Sequence, residues 1–162
     1  RCFSMANLPI YCNGIAVVLL KKYENDTLVL LMKRNTEPFH GEWCYVGGAI
    51  EEDEKAWEAA LREVREETGL TDIRLYVSNT FEQYYHPKSD FIYMAPVFVG
   101  FVGEEEQVKL NEEHSDYAWF TFKEALQQIT VPGNDCVLSF IEKHFVKVKP
   151  YTQLEVRWWL DE

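Results

Sequence analysis

The sequence predicts an α/β protein whose β-sheet is covered by helices on both faces. Three observations carry this. Apolar, strand-like runs bracket one early helical stretch at residues 55–68. Two further helical stretches lie toward the end of the chain. The chain has 162 residues, 47% of them hydrophobic, which suits one domain with a sizeable core.

The elements follow in order. Residues 1–10 read as an N-terminal extension and 11–162 as a single domain; residues 1–4 precede Met5 and are either added or upstream residues. Residues 14–21 (Gly-Ile-Ala-Val-Val-Leu-Leu-Lys) form a buried-strand pattern, Glu24-Asn25-Asp26 a turn, and 27–33 the returning strand of a hairpin. Residues 35–42, with Pro38 and Gly41, are a loop; 43–46 form a short strand that runs into a Gly47-Gly48 loop. Residues 55–68 lack Gly and Pro and are rich in Ala, Glu, Leu and Arg, a helical composition. Asp53 is placed to cap that helix, and Gly69 stands where a left-handed residue ends it. Residues 72–83 and 91–102 are strand-like, joined by a polar loop at 84–90, and 117–120 is another short strand. Thr121-Phe-Lys-Glu124 is a capping-box pattern that starts a helix; Pro132 and Gly133 break it. A last helix covers 134–145, and 154–160 is a final strand or a docked tail. There are no repeats, low-complexity segments or linkers.

Charge narrows the function. Lys and Arg number 16 against 27 Asp and Glu, a formal net charge of -11, which argues against a nucleic-acid polymer or an anionic membrane as partner. A small phosphorylated substrate stays compatible, because a bound cation can supply positive charge. No apolar run approaches a membrane span and no secretory pattern opens the chain, so a cytoplasmic protein is expected. Glu104-Glu105-Glu106 reads as a solvated loop. Cys2, Cys12, Cys44 and Cys136 form no C-x-x-C pair and read as reduced thiols, Cys44 as a small buried filler. His40, His86, His114 and His144 show no ligand spacing on a shared helix.

The chemistry concentrates in residues 48–70. On the predicted helix, Trp57, Ala60, Leu61, Val64 and Thr68 share one stripe. Glu63, Glu66 and Glu67, at i, i+3 and i+4, share a second stripe roughly 120° away. Ala56 and Ala59 lie on the acidic stripe and are small, leaving room above it, while Arg62 and Arg65 point largely away. Like charges at this spacing cost a few tenths of a kcal/mol per pair, roughly. Such a cluster of oxygen ligands suits a hard divalent ion, Mg²⁺ or Mn²⁺, rather than zinc.

The order Gly48, Glu54, Arg62-Glu63-Val64-Arg65-Glu66-Glu67-Thr68-Gly69-Leu70 fills every fixed position of the Nudix box, so the chain resembles a Nudix hydrolase. The resemblance implies an α/β/α sandwich around a mixed sheet. It implies that Glu63, Glu66 and Glu67 bind the metal, joined by the Gly48 carbonyl, and that Glu54 supports the site through Arg62. It matches Arg34, at the end of the second strand, to a phosphate-contacting arginine. Many members add an acidic residue from a later loop; here that is Glu113, with Glu112 as the other candidate, and it serves as extra ligand or general base. Catalysis would then rest on Glu67, Glu66, Glu63, Arg62 and Glu113, with water as nucleophile. Phe39, Trp43, Tyr84, Tyr85 and Phe91 are candidates to stack on the moiety beyond the diphosphate. Glu113-His114 followed by an aromatic strand and a capped helix resembles the members acting on nucleoside triphosphates or dihydroneopterin triphosphate. Pro87 lies near where ADP-ribose hydrolases carry a proline, but in a different setting.

The expected activity is therefore metal-dependent hydrolysis of a phosphoanhydride bond in a nucleoside-triphosphate-like substrate. The alternatives are nucleotide sugars, ADP-ribose or dinucleoside polyphosphates as substrates, a nucleotide sensor without turnover, and an acidic interaction domain. The sensor is disfavoured because all the box carboxylates are present. The Trp158-Trp159 tail is apolar enough to pack on a partner subunit, which suits a homodimer.

Overall fold

The first long apolar run becomes the central strand of a mixed sheet. The computed structural model describes residues 5–157. Its strands are β1 (Ile10–Tyr11), β2 (Gly14–Tyr23), β3 (Asp26–Arg34), β4 (Trp43–Cys44), β5 (Val46–Ala49), β6 (Ile73–His86), β7 (Phe91–Val102) and β8 (His114–Phe120). The helices are α1 (Ala56–Thr68), α2 (Phe122–Gln128) and α3 (Asn134–Ile141). The sheet runs β1-β7-β2-β3-β4, with β5 paired to β2, β6 to β7 and β8 to β3. The β1–β7 and β2–β7 pairs are parallel, and the others are antiparallel.

Alternation along β2 divides the core. Ala16, Val18 and Leu20 face one layer with Val97, Val99, Leu138 and Ile141. Ile15, Val17 and Leu19 face the other with Ala59, Ala60 and Val64 of α1. A central strand buried on both faces must be apolar throughout, which explains its unbroken hydrophobic run. Each large aliphatic side chain buried there contributes about 1.5–3 kcal/mol. The result is the expected α/β/α sandwich, with α1 on one face and α2 and α3 on the other.

Several local expectations change. The short strand expected at 43–46 is two strands. Trp43–Cys44 pairs with Met32 and Lys33 of β3, whereas Val46–Ala49 pairs with β2, placing Gly47 opposite Ala16 and Gly48 opposite Ile15. Gly47 and Gly48 are thus strand residues, and the buried Tyr45 lies between the two strands. Residues 84–86 extend β6 instead of forming a loop. Tyr84 stacks on its partner Tyr93 and His86 on its partner Phe91, each with ring centroids 4.9 Å apart. Such cross-strand aromatic pairs stabilise a hairpin beyond its polar pattern. Strand β8 begins at His114, opposite Arg34, three residues earlier than expected.

Helix α1 is capped at Lys55, not Asp53. Asp53 is left-handed (φ 64°) inside the preceding turn, and the Glu58 carboxylate accepts the Lys55 N–H at 2.7 Å. Gly69 ends the helix with φ 72°, as its position predicts. Thr121 caps α2 by accepting the Glu124 N–H at 3.2 Å. The last helical stretch is α3 followed by a π-helical turn, Glu142–Val146. Within the described residues, the proposed final strand amounts to one bridge between Tyr76 and Glu155, with Val156 buried beside it. Trp158 and Trp159 lie outside the described residues. No described helix is long and apolar enough to cross a membrane.

Candidate active site

The three box carboxylates share a helical face but not an environment. Glu67 is only 2% exposed. The Glu63 side chain is 13% exposed and that of Glu66 51%. Ala59 does not leave space above the stripe; it is fully buried and anchors α1 to the sheet. The space comes from Gly48 instead. A Cβ there would lie 2.1 Å from Glu63 Cδ and 2.2 Å from Oε1, so Glu63 can pack over β5 only because Gly48 has no side chain.

Arg62 corrects a second expectation, since it turns into the acidic cluster. Its Nε donates to Glu54 Oε1 at 2.8 Å and its Nη2 to Glu54 Oε2 at 3.0 Å. Nη1 donates to Glu63 at 2.9 Å and to Glu66 at 3.1 Å, and Nη2 also reaches the Ala49 carbonyl at 2.8 Å. A helical wheel fixes where a Cα lies, but long side chains lean toward the helix N-terminus, which brings the guanidinium back over Glu54. The hydrogen bonds from Arg62 hold the Glu54 carboxyl below its ordinary value. Burial pushes Glu63 up, partly offset by Arg62.

On the far side of Glu67 the entry to β8 closes in. Pairing of Arg34 with His114, and the Asn35 N–H donated to the Glu113 carbonyl at 2.8 Å, pin this segment beside α1. Glu67, Glu113 and His114 each offer a ligand atom within 4.8 Å of the others. Glu112 is exposed and contributes its carbonyl to Asn35 Nδ2 at 3.3 Å. Glu67 Oε2 and His114 Nδ1 are buried without a hydrogen-bond partner. Burial, then repulsion from Glu63 and Glu113, pushes Glu67 up to about 9. Burial, then the nearby Arg34 charge, lowers His114 to about 4, so its imidazole is neutral at pH 7. Its Nε2 lies 3.6 Å from Glu67 Oε1 and 3.6 Å from Cys44 Sγ. Burial raises the Cys44 thiol to about 12, which keeps it protonated. The sequence signal for His114 was its position next to Glu113 at a strand entrance; helical spacing alone could not find it.

This donor set fits a hard divalent cation. A buried carboxylate with an unpartnered oxygen and two like-charged neighbours is short of positive charge, which the Gly47 N–H and the Arg34 charge offset only in part, and the Gly48 cradle brings Glu63 alongside.

Beyond Glu67 lies a cavity of about 150 Å³, whose lining includes Arg34, Phe39, Trp43, Tyr45, Glu82 and Asn134. Arg34 spends Nε on the Pro38 carbonyl (2.8 Å) and one Nη2 bond on Thr36 (3.3 Å), which fastens the loop at residues 35–42. Phe39 is 56% exposed at the cavity mouth, and Trp43 packs edge-on against Phe120. Tyr84 and Tyr85 do not line the cavity. Tyr84 stacks on Tyr93, while Tyr85 projects from the opposite face of the hairpin and donates to Asp90 at 2.8 Å. Phe91 is likewise engaged, with His86 and Tyr11. Three residues outside the predicted site take their place. Tyr45 Oη lies 3.2 Å from Glu82 Oε1 and 3.0 Å from Asn134 Oδ1.

The NUDIX domain profile matches residues 13–139. The chain belongs to the Nudix family. Nucleoside triphosphatase NudI of Escherichia coli O139:H28 is 35% identical over 105 residues, covering 59% of this chain and 74% of that protein. Among solved structures, E. coli dihydroneopterin triphosphate pyrophosphohydrolase superposes with TM-score 0.68 at 22% identity, over 86% of this chain and 97% of that one. The C. elegans Ap4A hydrolase binary complex gives TM-score 0.69 at 19% identity, over 82% and 96%. At these identities the structural likeness shows the Nudix fold alone.

Proposed function

We propose that this Nudix enzyme uses a divalent cation and water to cleave a phosphoanhydride bond of a nucleoside-triphosphate-like substrate. One observation carries the reading. Glu67 is buried, repelled by Glu63 and Glu113, and has an oxygen without a partner. A buried carboxylate in that state is costly unless a cation completes it.

Glu63, Glu66, Glu67 and Glu113, with the Gly48 carbonyl, would hold Mg²⁺ or Mn²⁺. Bound there, the ion would neutralise phosphate charge and acidify a water near neutral pH. Arg62 aims Glu63 and Glu66, and its paired bonds to Glu54 hold it in that geometry. Arg34, anchored by its loop bonds, offers its remaining donors to a phosphate at the cavity mouth. Glu113 is exposed and near Glu67, where it can take the proton from attacking water. The triphosphate substrate is supported by the activity named for the NudI relative.

Purified protein with Mg²⁺ and a panel of nucleoside triphosphates, dihydroneopterin triphosphate, nucleotide sugars and ADP-ribose tests the reading. Pyrophosphate and a monophosphate are the expected products. Glu67→Gln should lower kcat by at least about 10³-fold with the fold retained. Binding without product from any substrate would favour a sensor, and a fully active Glu67→Gln would remove the metal assignment.

A further inference from the structure

A larger cavity, of about 690 Å³, lies away from the box carboxylates. Among the described residues it shares no lining residue with the cavity beside Glu67. Thr27, near the start of β3, lines the larger one, and Arg34, at the end of β3, lines the smaller. The extended chain between them sets the two roughly 23 Å apart. No step of the chemistry above uses the larger cavity.

Its floor is aromatic. Tyr76 and Phe145 are buried, and their ring centroids lie 6.1 Å apart. Phe101 packs edge-on against Tyr76 at 5.6 Å. One wall is the π-helical turn Glu142–Val146, which the Lys147 N–H closes on the Glu142 carbonyl at 2.9 Å. Such turns are rare and are frequently found at functional sites.

The rim is cationic, in a chain of net charge -11. Lys22, Arg74, Lys147 and Lys149 line the cavity against two carboxylates, Glu104 and Glu155, a surplus of two positive charges. Arg74 is engaged with Glu155, through Nε at 3.2 Å and Nη2 at 3.0 Å, and Lys147 reaches Glu142 at 3.2 Å. Lys22 and Lys149 are exposed and make no ion pair among the described residues. Cations gathered around a concavity on an acidic molecule draw anions to that place.

The volume falls within the roughly 300–1,000 Å³ of sites that enclose a small organic ligand. A bare inorganic anion would leave the aromatic floor uncovered, and a neutral apolar molecule would leave the lysines unused. Lysine serves phosphate as a point charge, whereas paired recognition of a carboxylate favours arginine, and the guanidinium here is already engaged. We infer that this cavity is a second, non-catalytic site for a small organic phosphate, whose apolar ring lies on the aromatic floor and whose phosphate meets the lysines of the rim.

The test titrates 1-naphthyl phosphate into the full chain in EDTA at about pH 7.5, followed by ¹⁵N–¹H NMR; at that pH the phosphate carries nearly two charges. Saturable shifts are expected at Arg74, Gly103 and residues 145–149, with a Kd of about 1 mM or tighter. Neutral 1-naphthol and ring-free inorganic phosphate should each bind at least about 10-fold more weakly. 1-Naphthoate, with one charge, should also bind more weakly than the phosphate. Lys22→Gln/Lys149→Gln should raise the Kd for 1-naphthyl phosphate by about 10-fold or more. Both side chains are exposed and unpaired among the described residues, so the melting temperature should stay at the wild-type value. The titration needs no turnover, so failure of the hydrolase reading would leave it standing. Shifts confined to Arg34, Trp43 and Gly47 would put the probe in the smaller cavity and overturn the inference. Equal affinity for 1-naphthol or 1-naphthoate, or an unchanged Kd in the double variant, would overturn it too.

Discussion

Adding one methyl group at Gly48 tests the geometry of the site at its tightest point. The new Cβ would lie 2.1 Å from Glu63 Cδ, 2.2 Å from Oε1 and 2.7 Å from Cγ, where ordinary contact begins at 3.4 Å. The two groups must therefore separate by about 1.3 Å. The strand cannot supply that movement, because Gly48 is registered against Ile15 in β2. Nor can the helix, because Ala59, Ala60 and Val64 are fully buried against the sheet. The Glu63 side chain must turn away, breaking its 2.9 Å bond from Arg62. A displacement of about 1 Å in a reacting constellation costs on the order of 10²-fold in rate. Gly48→Ala should thus lower kcat/KM by about 10²-fold and weaken Mn²⁺ binding, while its melting temperature stays near wild type. Gly47→Ala is the control for metal affinity, because its Cβ would meet only the Ile15 carbonyl, at 3.5 Å. Mn²⁺ titrations monitored by electron paramagnetic resonance, beside steady-state kinetics and thermal melts, make the comparison. Near-normal activity and Mn²⁺ affinity in Gly48→Ala would refute the reasoning, as would an equal loss of affinity in Gly47→Ala.

Three further outcomes are expected. Folded, metal-free Glu67 keeps its proton to about pH 9, against 4.5 when unfolded, so the folded state holds the extra proton and stability falls as pH rises between those values. The opposing His114 contribution ends near its unfolded value of 6.5, so urea melts in EDTA from pH 7 to 8 should lose about 1.4 kcal/mol, and saturating Mg²⁺ should abolish the slope; a flat profile in EDTA counts against a protonated Glu67. Glu54→Gln, which weakens the paired bonds to Arg62 at 2.8 and 3.0 Å, should reduce Mn²⁺ affinity by about 10–100-fold, measured by calorimetry, without direct contact with the ion. Thr121→Ala removes the α2 cap and should cost about 1 kcal/mol in urea denaturation with the kinetics unchanged.

Local features of the chain were legible because they depend on neighbours in sequence. Helix α1 and its stop at Gly69, the β2–β3 hairpin and the cap at Thr121 follow from periodicity and from residues within one or two turns. The box carboxylates follow from helical spacing in the same way. Side-chain direction did not: Arg62 reaches Glu54, Glu63 and Glu66 because its long chain leans back along the helix. The split at Tyr45 was hidden because strand partners are chosen by long-range pairing, and Trp43 and Val46 pair with different strands. The extension of β6 through Tyr84 and His86 was hidden for the same reason.

By itself the sequence determined that three carboxylates stand at i, i+3 and i+4 behind a glycine pair, and with them the family. Only the tertiary structure decided which of the three is buried, that His114 stands next to it, and that Tyr45, Glu82 and Asn134 meet across a cavity. The physical reason is that desolvation and hydrogen-bond partnership are properties of packed neighbours. Tyr45 and Asn134 are 89 residues apart in the chain, and no local pattern encodes that approach.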